Sequence, residues 1–448
     1  MKLLTFKRGG IHPPEHKSLA EHKTIERPEL PETIAINLCQ HLGKPAKAIV
    51  KAKDEIAVGQ LIGEADGFIS SHVHASVAGV VAKIEKRMTA IGTLDETILI
   101  TVDKDKTREQ LDTLNKPKIQ TIDALSPTDL LGLIKSAGVV GEGGATFPTH
   151  VKLSPPPDKK IDTIIINSAE CEPYLTADHQ LMIEKPIEIL KGIQILQKAL
   201  GVETVYIGIE ANKPDAIRLF IEKLQDPSFR GIQVVSLRTK YPQGGEKQLI
   251  HAILKRQVPS GKLPFDVGAL VQNVGTVFAV YEAVYCSKPL IDRVTTITGF
   301  VNKPGNYLLP VGIGFEQVIS NVAGGFKDPE RVREVINGGP MMGKAIRQLD
   351  VSVMKGTSGI LVLSETQVCY VDEGPCIRCG RCVDACPMGL MPTNIAQDAQ
   401  FKSTDTLAAS MDCIECGSCS YVCPTHRQLV HWIRIGKTVF RNANRSSK

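Results

Sequence analysis

Eight of the chain's twelve cysteines fall into two runs of one pattern. The first is Cys376-x2-Cys379-x2-Cys382-x3-Cys386 followed by Pro387, and the second is Cys413-x2-Cys416-x2-Cys419-x3-Cys423 followed by Pro424. Thiolates are soft ligands that suit iron–sulfur clusters and zinc. Three sulfurs on one tight loop reach three irons of a cubane, and the fourth iron points away, so its ligand must arrive from elsewhere. Zinc takes four ligands, usually as two Cys pairs, and would leave the third close Cys and the Cys-Pro of each run without a purpose. The duplicated runs therefore predict two [4Fe–4S] clusters, not a disulfide framework, and place the chain in a reducing compartment. Cys39, Cys171, Cys286 and Cys369 show no ligand spacing and are expected to be packed thiols.

In two-cluster ferredoxins of this spacing, the fourth Cys of each run ligates the other cluster. Resemblance to them assigns Cys376, Cys379, Cys382 and Cys423 to one cluster, and Cys413, Cys416, Cys419 and Cys386 to the other. The proline after each fourth Cys fixes φ and steers the chain away from the cluster loop.

A second group with chemical potential is the run Gly141-Glu142-Gly143-Gly144-Ala145-Thr146-Phe147-Pro148-Thr149. Missing side chains let backbone N–H groups approach a phosphate or a flavin ring. Alone the run reads as a turn, because it lacks the Lys-Ser/Thr of a P-loop and the strand-loop-helix order of a dinucleotide fingerprint. Its neighbours strengthen it. Lys152 follows closely and could neutralise a phosphate. The apolar strand TIIIN releases Asn167, Glu170 and Glu172 at its carboxyl end, where α/β sheets bind ligands. A nicotinamide gives up two electrons as a hydride and a cubane takes one, so a flavin between them would make the chemistry consistent. His72 and His74 share one side of a strand but find no third ligand, so packing histidines are expected there.

The elements that carry these groups divide the 448 residues into several units. Residues 1–110 alternate short β runs with Gly turns and resemble the barrel-sandwich of lipoyl and biotinyl domains. The hairpin tip DGFISSHVHAS lacks their modifiable lysine, which predicts a scaffold. The Lys-rich stretch DKDKTREQLDTLNKPKIQ reads as a linker. Across 117–290, apolar strands TIIINSA, TVYIGIE, IQVVSL and VGALVQNV alternate with helices from the Ser126 cap, Asp178, Lys213 and Gly244, which predicts an α/β unit with a parallel sheet. Residues 291–365 return to short strands with one helix between Gly314 and Ala323 and resemble a β-grasp module of the soluble-ligand-binding (SLBB) type, expected to act as a spacer. Residues 366–448 hold the ferredoxin-like cysteine runs and a tail. The tail has Arg427, Arg434, Lys437, Arg441, Arg445 and Lys448 but no acid after His426. With Leu429, Val430, Trp432, Ile433, Val439 and Phe440 it is expected to form a solvated basic helix or to dock on an anionic membrane surface or a partner subunit.

Composition narrows the classes. With 42% hydrophobic and 23% charged residues the chain is globular. A net charge of +5 without a basic stripe speaks against nucleic-acid binding. No apolar run approaches 18 residues, so the chain is expected to be cytosolic or peripheral to a membrane and unable by itself to move an ion across one.

GEGGATFPTHVK, NSAECEP, YPQGGEK and QNVGT, in this order, resemble the flavin- and NADH-binding segments of the complex I flavoprotein subunit and of RnfC, the C component of Rnf-type electron-transport complexes. The opening FKRGGIHPPEHK, the barrel-sandwich region and the paired cysteine runs resemble the RnfC family in particular, so the likeness spans essentially the whole chain. It implies that Gly141, Gly143, Gly144, Lys152, Asn167, Glu170, Gly245, Glu246, Asn273 and Thr276 line FMN, with Glu172 and Phe147 toward the nicotinamide nucleotide. The complex I loop has Gly where Thr146 stands and Asp where Ala169 stands. The resemblance further implies an NADH-dependent oxidoreductase subunit at the cytoplasmic face of a bacterial membrane. Its partners would be the other subunits of the complex, with ferredoxin-linked electron flow. The alternatives are a soluble reductase of the cobalamin-reductase kind, and an electron-relay scaffold whose α/β unit is a relic.

Overall fold

A computed structural model describes residues 3–368, 371–401, 403 and 406–446. Cys369 and Lys448 lie outside the described residues.

Residues from Thr33 to Val102 form two small sheets. One orders Thr33–Asn37, Leu94–Val102, Gly79–Met88 and Glu55–Ile56, and the other Lys47–Ala48, Leu61–Glu64 and Val73–His74. Alternation along these strands turns Ile34, Ile36, Ile62, Val73, Val81, Ile98 and Ile100 into a shared core. His74 is buried, and desolvation holds its imidazole down at about 3, so it is a neutral packing histidine. The His72 and His74 rings lie 6.3 Å apart, edge to face.

The expected linker is partly a helix, Lys104–Leu114. The Asp103 side chain caps it by accepting from the Lys106 N–H. Thr107 and Leu111, one turn apart, are its only buried side chains, which explains why its charged sequence hid it.

The α/β unit is a parallel sheet in the order Ile232–Leu237, Thr204–Glu210, Thr163–Ser168, Ala269–Asn273. Helix Pro127–Ser136 starts at Ser126 with a capping box to Asp129, as the sequence predicts. Ile164 and Ile166 face the helices Pro186–Leu200 and Val274–Tyr281, whereas Ile165 faces helix Glu246–Leu254. Covering both faces is what makes a continuous apolar strand stable here, each buried Ile contributing about 1.5–3 kcal/mol. Gly192 lets the first two helices touch, since a Cβ there would stand 2.3 Å from the Val277 carbonyl oxygen.

A six-stranded mixed sheet follows, ordered Ile25–Glu26, Gly305–Pro310, Asp292–Gly299, Gly359–Ser364, Val332–Asn337, Lys344–Ile346. Its edge strand comes from the N-terminal segment, so residues before about 30 are an arm laid over the other units. Leu4 bonds to the edge strand of the parallel sheet through Ser236 and Arg238, and Ile11 exchanges both backbone bonds with Tyr241.

The cysteine-bearing unit packs helix Leu429–Ser446 against helix Pro392–Phe401. This corrects one reading of the tail. Leu429, Val430 and Ile433 are buried in the unit's own core with Trp432 and Phe440 packed against it, so the apolar face is not free for a membrane. Arg434 and Lys437 pair with Glu415 at 2.8 and 2.7 Å. No described helix is long and apolar enough to cross a membrane.

Candidate functional site

The parallel sheet reverses its strand order between Thr163–Ser168 and Ala269–Asn273, so a crevice opens at the carboxyl ends of this pair, the position where open α/β sheets bind ligands. Asn167 and Asn273 are register partners at that edge. Asn273 caps helix Val274–Tyr281, accepting from the N–H groups of Gly275 and Thr276, and donates to Asp178 at 2.7 Å. Asn167 donates to the Gly244 carbonyl at 2.8 Å.

The Gly141 loop lies over this edge. Gly141 N–H donates to the Phe147 carbonyl at 2.9 Å, and Glu142 N–H donates to Thr276 Oγ1 at 2.8 Å, which closes the loop and ties it to the sheet. A Cβ on Gly143 would stand 3.3 Å from Asn273 Cβ, so the backbone passes close to the crevice. Gly144 has φ +111° and open space where a Cβ would go. The exposed amides of Gly143, Gly144 and Ala145 donate to no group among the described residues. A cradle of unsatisfied donors with no side chain in the way fits a phosphate or a flavin. Lys152 stands at the end of the short helix after the loop and pairs at 2.7 Å with Glu246, which follows Gly245 at the start of helix Glu246–Leu254.

Glu170 and Glu172 are turned inward. Glu170 accepts from the N–H groups of Asp178 and His179 in the first turn of helix Ala177–Glu184, with Lys17 Nζ 4.0 Å away. Burial pushes the Glu170 carboxyl up and the Lys17 ammonium down, each opposed by the partner's charge. Glu172 accepts from the N–H groups of Met341 and Met342 at 3.1 and 2.8 Å, and burial raises it to about 7. Phe147 is half-buried at the loop's end. Lys17 Nζ donates to the carbonyls of Glu170 and Glu172 at 3.0 Å each and to that of Leu175, while His16 stacks on Tyr174 at 4.7 Å. The arm thus sets the loop that bears both carboxylates.

Sequence reasoning missed Lys17 as a functional residue, and also Glu142, Arg293 and Lys355. Glu142 is buried behind the loop, 3.8 Å from Arg293, and desolvation raises it to about 7. Lys355 Nζ donates to the carbonyls of His72 and Gly138, joining three units behind the site. Glu142 lies inside the motif and was legible by position. The others come from distant segments with no local signal.

Cys386, Cys413, Cys416 and Cys419 line one cavity with Pro387, Leu390, Ile414, Val430 and Ile433. Burial pushes the Cys413 thiol up to about 11, and the facing Cys416 and Cys386 add to the shift. The structure thus places the fourth Cys of the first run in the same cavity as the first three of the second. Of the other set, Cys376 faces Cys382, and Arg427 faces both Cys376 and Cys423. The sulfurs of Cys376 and Cys423 lie 3.6 and 3.5 Å from the Thr393 and Thr425 hydroxyls. These donor sets, four thiols in an apolar cavity and four around the more exposed first-run loop, fit iron–sulfur clusters. Cys171 and Cys286 are packed thiols, as expected; Cys171 Sγ accepts from Gly244 N–H.

A free-amide cradle at a sheet crossover, joined to a doubled cysteine unit, defines an electron-transfer protein of the FMN and iron–sulfur class. Family models agree along the chain. The RnfC barrel sandwich hybrid domain matches residues 4–105, the Nuo51 FMN-binding domain 134–282, the SLBB domain 294–345 and the 4Fe-4S dicluster domain 375–426. The C subunit of the proton-translocating ferredoxin:NAD(+) oxidoreductase complex of Clostridium ljungdahlii is 44% identical over 98% of this chain and 95% of its own. The Na(+)-translocating counterpart of Acetobacterium woodii is 44% identical over 97% and 96%, and the C subunit of the ion-translocating oxidoreductase complex of Rhodobacter capsulatus is 39% identical over 86% and 73%. A NAD+-reducing [NiFe]-hydrogenase superposes with a TM-score of 0.49 at 18% identity, over 70% of this chain and 62% of its own. The chain belongs to the RnfC family, the C subunits of ion-translocating oxidoreductase complexes.

Proposed function

We propose that the chain is the electron-input subunit of an Rnf-type ion-translocating oxidoreductase, passing electrons between NADH and two [4Fe–4S] clusters by way of FMN. The observation that carries this is the adjacency of the two sites. The second-run loop packs on the α/β unit and on the unit of the six-stranded sheet, with Cys416 and Ile414 clustered with Tyr241 and Cys171 of the one and Met341 of the other. Bound FMN supplies the conversion between a two-electron hydride and single electrons.

The chain's own residues then have these roles. The amides of Gly143, Gly144 and Ala145, with Gly141 closing the loop, hold phosphate or flavin edge. Lys152 neutralises the phosphate. Asn167, Asn273, Thr276, Gly245 and Glu246 shape the crevice, and Asn273 and Thr276 hold the loop to it. Glu170 shapes the floor from behind by fixing the helix that starts at Ala177. Glu172 and Phe147 border the nicotinamide side, Glu172 held by the Met341 and Met342 amides. Cys413, Cys416, Cys419 and Cys386 bind the cluster nearer the flavin, and Cys376, Cys379, Cys382 and Cys423 the farther one. The units run 1–110, 117–290, 291–365 and 366–448, and the complex holds the chain at the cytoplasmic membrane face through its other subunits.

The test is anaerobic purification. Close to eight irons and eight sulfides per chain are expected, four of each per cubane, with FMN bound and both clusters reduced by NADH. Zinc in place of iron, or no flavin after reconstitution, would defeat the reading.

A further inference from the structure

The duplication provides an internal control for what a cluster loop does when it meets protein. Position by position the two runs differ in setting. In the second run no residue from Cys413 to Cys419 is exposed. Ile414 packs beside Tyr241 and Met341, and a Cβ on Gly417 would stand 2.9 Å from the Met341 carbonyl. In the first run every residue from Pro375 to Arg381 is exposed, Cys376 and Cys379 included. Ile377, the counterpart of Ile414, is 62% exposed, and a Cβ on Gly380, the counterpart of Gly417, would meet nothing. Exposed Val371 and Met391 flank the loop in sequence.

The charges differ as well. Glu415, paired with Arg434 and Lys437, is replaced in the first run by Arg378, and Ser418 by Arg381. Neither arginine has an acid within ion-pair distance among the described residues, and both sit between the cysteines. The acids of the region, Asp372, Glu373 and Asp384, lie outside the Pro375–Arg381 loop, and Glu373 accepts from the Gln428 N–H. An exposed isoleucine followed by two arginines without an ion-pair partner is the composition of an interface core, where apolar and Arg side chains are enriched.

We propose that the Pro375–Arg381 loop is a docking surface for an acidic electron-carrying protein surface, seated on it as the α/β unit is seated on the second-run loop. Each NADH oxidised yields NAD+, a proton and two electrons, and two oxidised centres of the partner each take one electron across this surface, with no bond formed or broken. The proposal rests on the cluster assignment above, and its test separates the two.

The full chain carrying Arg378→Glu with Arg381→Glu, and a second variant Ile377→Asp, are compared with the parent and with the control Arg441→Glu, an exposed change on the C-terminal helix. In the isolated chain, NADH should still reduce the flavin and both clusters, since the altered side chains are exposed and none is a cysteine, with only the potential of the first-run cluster lowered by the reversed charge. A parent that NADH fails to reduce would overturn the functional reading, while retention of the variants in the complex would still judge the surface. In complexes purified from membranes, the loop variants should be lost from the complex or transfer electrons beyond the chain about tenfold more slowly or worse. The parent's transfer should weaken with salt, and the Arg441→Glu control should match the parent. Loop variants retained and transferring at the parent's rate would overturn the proposal. So would arginine-dependent sedimentation with phosphatidylglycerol vesicles, which would make the surface a lipid site, or arginine-dependent self-association.

Discussion

Lys152 and Glu246 were both expected at the flavin, and the structure places them in contact, which makes their substitution a signed test of the pocket. The Lys152 and Glu246 side chains are 31% and 39% exposed and 2.7 Å apart. A pair so exposed contributes at most about 1 kcal/mol to stability, so neither Lys152→Ala nor Glu246→Gln should unfold the chain. Their effects on FMN should differ in sign. If Lys152 meets the phosphate, its removal deletes a charge-assisted hydrogen bond worth roughly 1.5–3 kcal/mol, about a tenfold to hundredfold rise in the FMN Kd. Glu246 competes with the phosphate for the same ammonium. Glu246→Gln removes that competitor, so the Kd should fall, by up to about fivefold if the full 1 kcal/mol is released. The assay is titration of flavin-free chain with FMN, read by quenching of flavin fluorescence at low and high salt, since screening should shrink the Lys152 effect. Two results would refute the reasoning: an unchanged Kd in Lys152→Ala, or a Kd raised as much by Glu246→Gln as by Lys152→Ala.

Four further outcomes are expected. Cys386→Ser should damage only the cluster bound by Cys413, Cys416 and Cys419, and Cys423→Ser only the other, each seen as loss of one signal in electron paramagnetic resonance. Lys17→Met removes three donated hydrogen bonds and the cation beside buried Glu170. Each buried carbonyl left without its donor costs about 1–3 kcal/mol, so a clearly lower unfolding temperature is predicted, and an unchanged one would show that the arm does not hold the loop. Glu172 titrates near 7 in the fold, above its ordinary value. Its contribution is therefore full below about 4.5 and lost as pH rises through 7; the unfolding temperature of Glu172→Gln relative to the parent should climb between pH 5.5 and 8. Arg427→Gln withdraws a cation facing Cys376 and Cys423 and should lower the potential of that cluster by about 40 mV, the one-electron equivalent of about 1 kcal/mol, leaving the second-run cluster unmoved in a redox titration.

What could be read from the sequence was what local chemistry determines. The cysteine spacing named its metal because thiolate geometry is set within a few residues. The strand Thr163–Ser168 and the capped helix after Ser126 were legible because burial on both faces demands an unbroken apolar run and a helix start demands a cap. The helix Lys104–Leu114 was not legible, since two buried side chains in eleven residues leave no period to detect. The tail's composition was read, but not its partner: an amphipathic helix records that one face is covered and not by what, and here the cover is the chain's own cluster unit.

The same limit explains the two carboxylates. A strand's carboxyl end predicts that Glu170 and Glu172 stand near a ligand, and it says nothing of which way they turn. Glu170 is turned by the Asp178 and His179 amides of the next helix, and Glu172 by the Met341 and Met342 amides 169 and 170 residues on. These are costly positions for charge, because desolvation raises both carboxyls and an unpaired buried charge is strongly unfavourable. Lys17 donates to the backbone carbonyls on either side of Cys171 rather than forming a close pair with Glu170. It therefore fixes the loop's path, and the Met341 and Met342 amides hold Glu172 from the six-stranded sheet's side. The Met341 segment also touches Gly417 of the second cysteine run. A single loop, residues 170–175, is thus gripped by the N-terminal arm and by the segment that meets the cluster, so a change at Lys17 should be felt at the flavin crevice and at the cluster contact together. The arm also meets the cysteine unit directly, with Gly10 N–H donating to the Ala385 carbonyl at 2.9 Å and Ile11 packing in one cluster with Cys416.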